Sequence, residues 1–166
     1  MKLRAIDYHL LFSQYLCHTL DYYTNDTGEF IRYRYTDSRG ELTIKRKLKD
    51  SNNLERIEVN IPTAGDAKKE VSAFVNLLGY QHNFCVYKTC NIFWTDKINV
   101  VYYVVYDEEF KEKRRFIEVE ANEDVEWENE EAAWGEITKF EKLLEPLGIT
   151  AKNRLRKSLF ELFRKT

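Results

Sequence analysis

Between residues 30 and 121 apolar and polar positions alternate for long stretches, the period of an extended chain with one face against a core. FIRYRYTD, the turn SRG and ELTIKRK read as a hairpin, because β-branched and aromatic residues alternate with charges around a glycine-containing connection. ERIEVNIP continues the pattern and Pro62 ends it. Three further strands are expected in NFCVYKTCNIFWTD, INVVYYVVYDEE and KRRFIEVEANE. Elsewhere the period changes. Leu10, Leu11, Tyr15 and Leu16 recur at helical spacing and predict a helix over residues 7–20, preceded by a strand in KLRAI; DYYT could add a further short strand. Val71, Phe74, Val75 and Leu78 predict a helix over residues 66–78, with Gly79 as its stop. Trp134, Ile137, Phe140, Leu143 and Leu144 predict another, whose start is the acidic run EDVEWENEE. After the break at EPLG, the amphipathic stretch NRLRKSLFELFRK predicts a last helix.

Strands grouped in runs without a helix between each pair argue for an antiparallel sheet in the α+β class. With seven or eight long strands, closure into a barrel would remove exposed edges. The length of 166 residues suits a single domain with one sizeable core.

Alternation also groups the charges. Arg32 and Arg34 share one face of a strand, as do Lys45 and Lys47; Arg56 shares one with Glu58 and Asn60. Lys88 lies between Val86 and Cys90, Asp107 ends its strand, and Glu118 and Glu120 stand side by side in FIEVE with Ile117 and Val119 opposite. Two explanations stand beside each other. If these faces look outward, they are solvated and form cross-strand pairs worth about 1 kcal/mol or less. If they look inward, six bases and four acids surround one cavity, which must hold water, a polyanion and its cations.

Composition narrows the choice only a little. Charged residues are 33% and apolar ones 43%, with two prolines and six glycines, so the chain is built to fold. A formal charge of −2 gives no global basic footprint, and nucleic acid is not the expected partner. No run of about 18 apolar residues suggests a membrane span. Asp7 and His9 interrupt any signal-peptide core, and a cytoplasmic location is expected. Cys17, Cys85 and Cys90 have no disulfide or zinc spacing and read as reduced core thiols; His9, His18 and His82 have no metal spacing. The chain lacks GxSxG, a paired Cys and His motif, and a GxxxxGK(S/T) loop. Bases that hold phosphate oxygens and acids that hold a hard divalent cation remain a coherent inward chemistry.

The ordered series LTIKRK, RIEV, a helix ending in LLGY, VYKTC, a strand ending at Asp107 and FIEVE resembles the CYTH domain, or triphosphate tunnel metalloenzyme fold. The ending LGITAKNRLRKSLFEL is similar to that family's LGI and KSYxEL segments, and the likeness covers residues 21–163. It implies an eight-stranded antiparallel tunnel, closed or nearly closed, with flanking helices. It further implies a triphosphate or nucleotide ligand with Mg²⁺ or Mn²⁺, and hydrolysis or cyclisation of a nucleoside, thiamine or inorganic triphosphate. Position by position, Arg32, Arg34, Lys45, Arg56 and Lys88 fall at phosphate-binding places, with Lys47 on the face of Lys45. Glu58, Asp107, Glu118 and Glu120 fall at acidic ones, the last two as the metal-binding ExE pair. Two departures stand against this. Lys2, Arg4 and Ile6 replace the opening ExExK, and Cys90 stands where an arginine would follow Lys88. The readings left open are a metal-dependent triphosphatase or adenylate cyclase-like enzyme, a module that binds a phosphorylated ligand without turnover, and an interaction scaffold. The exposed tyrosines and the last two helices could form a homodimer surface or cover the barrel.

Overall fold

The computed structural model describes residues 12–47, 56–65, 67–122, 124–155 and 157–165. Their strands are β1 (Phe12–Thr24), β2 (Phe30–Tyr35), β3 (Gly40–Lys47), β4 (Arg56–Thr63), β5 (Gln81–Trp94), β6 (Ile98–Tyr106) and β7 (Glu112–Ala121). The helices are α1 (Lys68–Leu77), α2 (Glu130–Leu144) and α3 (Leu159–Phe163), with 3₁₀ turns at Glu145–Leu147 and Ala151–Asn153. The strands hydrogen-bond in the order β4-β3-β2-β1-β5-β6-β7, and the class is α+β with an antiparallel sheet, as the alternation predicts. Among the described residues the sheet has seven strands and is not closed. The eighth strand expected in MKLRAI, with Lys2 and Arg4, lies outside the described residues.

Contacts divide the chain into two compact units. One holds the described residues among 17–88, 105–113 and 155–165; the other holds those among 12–16, 89–104 and 114–154. In the first unit α1 lies against one face of the sheet. Tyr23, Ile31, Tyr33, Leu42, Val71 and Val75 form its core, and the Tyr33 hydroxyl donates to the Ala64 carbonyl at 3.1 Å. Asp21 is fully buried between two partners, His82 Nε2 at 2.8 Å and Lys68 Nζ at 3.1 Å. A carboxylate out of water needs such partners, and here they tie β1 to β5 and α1. In the second unit Tyr103 stacks on Phe116, and α2 offers its Trp134, Ile137 and Phe140 stripe half-buried, capped by Asn129 Oδ1 accepting from the Ala132 amide.

Two predicted elements are corrected. Residues 12–20 are strand, not helix, and run on through DYYT as β1. β1 is the middle strand, so Leu20, Asp21, Tyr22 and Tyr23 are all buried. Where four consecutive residues are buried the alternation is lost, and in the sequence before them the spacing of Leu10, Leu11, Tyr15 and Leu16 imitates a helix. The last helix is also far shorter than its amphipathic stretch. Ser158 and Glu161 form a capping box, Ser158 Oγ accepting from the Glu161 amide and Glu161 Oε2 accepting from the Ser158 amide, which starts α3 only at Leu159. One thiol differs too, since Cys17 is exposed while Cys90 is buried.

Candidate functional site

The polar row of the first unit follows from strand register. Across β2, β3 and β4, Arg32 stands opposite Thr43 and Thr43 opposite Asn60; Arg34 stands opposite Glu41, and Lys45 opposite Glu58. Ile31, Tyr33 and Leu42 point the other way, into the core under α1. The expected sharing of one face by Arg32 and Arg34, and by Glu58 and Asn60, therefore sets a charged surface on the side of the sheet away from α1. Lys47 pairs in register with Arg56 at the far end of the same hairpin.

Arg32 is the hub of this face, with only 14% of its side chain exposed. Its Nη2 donates to Thr43 Oγ1 at 3.0 Å and lies 3.8 Å from Glu41 and 3.9 Å from Glu58. The Thr43 hydroxyl donates to Asn60 Oδ1 at 2.8 Å. Arg34 Nη2 donates to Glu41 Oε1 at 2.6 Å. Arg32 Nε is buried with no hydrogen-bond partner, as is Nδ1 of His18 on β1. Buried polar atoms are seldom left so in a site that is complete without a ligand.

His18 reports the sign of the local field. Burial, followed by the charges of Arg34, Lys88, Arg39 and Arg32, lowers its pKa to about 4. Both causes disfavour the imidazolium. The charges that act on His18 beside its burial are those of cations.

The acids are each engaged by protein groups. Asp107 Oδ1 accepts from the amides of Glu109 and Lys111 at 3.0 and 2.9 Å, and Oδ2 from Lys113 Nζ at 3.3 Å. It builds the turn between β6 and β7. Glu118 and Glu120 lie on β7 in the second unit, where the Tyr103 hydroxyl donates to Glu118 Oε1 at 2.7 Å; Glu120 is exposed. Glu58 faces Arg32. Among the described residues no three His, Cys, Asp or Glu side chains gather as metal ligands. The oxygens of Asp107 are taken by its turn and Oε1 of Glu118 by a tyrosine, whereas a Mg²⁺ or Mn²⁺ centre takes several oxygens around one point.

Four residues of the site escaped the sequence reading: His18, Glu41, Thr43 and Asn60 in its role beside Thr43. For Glu41 and Thr43 a signal existed, because both precede Lys45 at even spacing and must share its face. Nothing in the sequence singles out His18, which reaches the row only because β1 pairs with β2.

No protein-family model matches the chain, and no curated protein matches it. Solved structures do. A conserved hypothetical protein from Pyrococcus furiosus superposes with a TM-score of 0.71 at 21% identity, over 97% of this chain and 90% of its own. A protein from Pyrococcus horikoshii gives 0.71 at 19% identity, over 91% and 84%. A candidate adenylate cyclase from Bacillus halodurans gives 0.64 at 13% identity, over 90% and 82%. At such identities these likenesses show a shared fold.

Proposed function

We propose that this chain is a CYTH-type protein that binds a small phosphorylated ligand, a triphosphate or nucleotide, on the charged face of its first unit. One observation carries the proposal: on a face that Arg32 shares with Arg34, Arg32 Nε is buried with no acceptor, and burial followed by the charges of Arg34, Lys88, Arg39 and Arg32 disfavours the charged form of the nearby His18. A face whose arginines retain an unfilled donor is suited to a polyanion. The likeness of fold to a candidate adenylate cyclase supports the same reading. Lys45, Lys47 and Arg56 extend the row by register. Binding without turnover is the form that the geometry favours, since the described acids are committed to Arg32, to a turn and to Tyr103.

A second reading is metal-dependent hydrolysis or cyclisation of a triphosphate. The pairing of Glu118 and Glu120 two residues apart on β7 favours it.

Calorimetry with tripolyphosphate and ATP, with and without Mg²⁺ or Mn²⁺, tests both. The expected result is binding of tripolyphosphate without metal, weakened about tenfold or more by Arg34→Gln and unchanged in a Glu118→Ala, Glu120→Ala variant, with no phosphate released. Phosphate release that needs metal and Glu118 would establish the enzyme instead. If neither ligand binds under any condition, both readings fall.

A further inference from the structure

Arg32 and Arg34 turn toward a single carboxylate oxygen. Glu41 Oε1 accepts from Arg34 at 2.6 Å and stands 3.8 Å from Arg32. Among the described residues every hydrogen bond and ion pair of this carboxylate falls on Oε1. An arginine and a carboxylate in their best arrangement meet through two parallel bonds, fork to fork. Here two forks share one oxygen, and Arg32 Nε stays buried without a partner. Thr43 Oγ1 accepts from Arg32 Nη2 at 3.0 Å, but among the described residues no group accepts from Nε. The two guanidiniums are thus short of acceptors.

We infer that Glu41 is an internal counter-ligand: in the free protein its carboxylate stands between Arg32 and Arg34 where a ligand phosphate belongs, and binding displaces it. The inference rests on the charged face being a phosphate site. A phosphate group brings three strong acceptor oxygens and a charge near −2, against the one engaged oxygen of Glu41. It can satisfy both forks and reach the orphaned Nε. Glu41 is 28% exposed and Arg34 37%, so the carboxylate can swing to water without breaking the core.

Displacement also narrows the ligand. Tethered to the neighbouring strand, Glu41 competes at an effective concentration on the order of millimolar or above. A lone carboxylate in solution offers the arginines nothing better and does not win. A polyphosphate does, because it adds both oxygens and charge. Glu41 therefore sets a threshold that admits di- and triphosphates and turns away small carboxylates.

Removing the counter-ligand should strengthen binding. Titration calorimetry is run with tripolyphosphate and with acetate, on wild type and on Glu41→Gln, which keeps the side-chain shape. Tripolyphosphate is expected to bind the variant about tenfold more tightly than wild type, while acetate binds wild type undetectably. A measurement on wild type alone guards against a variant that fails to fold. The ¹³Cδ resonance of Glu41 should move toward that of a solvent-exposed glutamate when tripolyphosphate saturates the protein. Wild type that binds tripolyphosphate while Glu41→Gln binds it equally or more weakly overturns the inference and leaves the phosphate site standing. An unmoved Glu41 resonance at saturation does the same. Failure of both proteins to bind removes the site itself.

Discussion

His18 shows how one residue can carry the electrostatics of a whole face. Its ordinary pKa of 6.5 falls to about 4, first through burial and then through Arg34, Lys88, Arg39 and Arg32. The unfolded chain takes up its proton near pH 6.5 and the folded protein only near pH 4. Between those values the unfolded state binds more protons, so stability is lost as pH falls through that window and levels off below it. His18→Gln should remove this part of the pH dependence. Urea unfolding at pH 7 and pH 5 checks it: wild type should lose more stability between the two than the variant does. Bound polyphosphate should reverse the shift, because an anion beside the imidazole favours its charged form. An NMR titration of His18 with and without tripolyphosphate should show its midpoint rise on binding.

At the scale of an element, the hairpin joining β6 to β7 depends on Asp107. Its Oδ1 accepts from two amides of the turn, and the Asp107 carbonyl accepts from the amide of Phe110, which sits at φ 59°. The left-handed region is unfavourable for a residue with a bulky side chain, so the turn needs such bonds to hold it. The bond from the Lys111 amide leads in holding the Asp107 carboxyl below its ordinary pKa, with Lys113 and the Glu109 amide assisting. A depressed carboxylate contributes stability above its unfolded pKa and loses that contribution as pH falls through the folded value. Asp107→Ala should lower the thermal midpoint at pH 7, and the difference from wild type should shrink on acidification to pH 3. Asp107→Asn keeps an acceptor oxygen and should lie between them. The sequence placed Asp107 correctly at the end of a strand, but only the backbone of the turn shows where its oxygens go.

At the scale of the whole molecule, segments remote in sequence meet within the first unit. Phe160 of α3 is 4% exposed and stacks on Phe30 at 4.4 Å, with Phe84 and Tyr22 at 6.1 Å. A five-residue helix has too few internal bonds to stand alone, so α3 exists because these rings receive it. Phe160→Ala should cost about 3–5 kcal/mol through lost burial and a cavity. Against a total stability of about 5–15 kcal/mol that is a large share, readable as a lower midpoint in urea. Among the described residues no helix is long and apolar enough to cross a membrane.

The hairpins, α1 and the faces of Arg32, Arg34, Glu58 and Asn60 were legible along the chain. In strands with one wet and one dry face, the period of two writes side-chain direction into the residue order. β1 was not legible, because the run from Leu20 to Tyr23 is buried on both faces and has no such period. The short α3 was not, because amphipathic spacing says nothing of where a capping box will start a helix. The site divides in the same way. Alternation alone brought Arg32 and Arg34 together, since they sit two apart on one strand. Glu41, Thr43 and His18 joined them only when β3 and β1 took their register against β2. Which acid stands beside which base depends on hydrogen bonds between strands, and those are made only in the folded sheet.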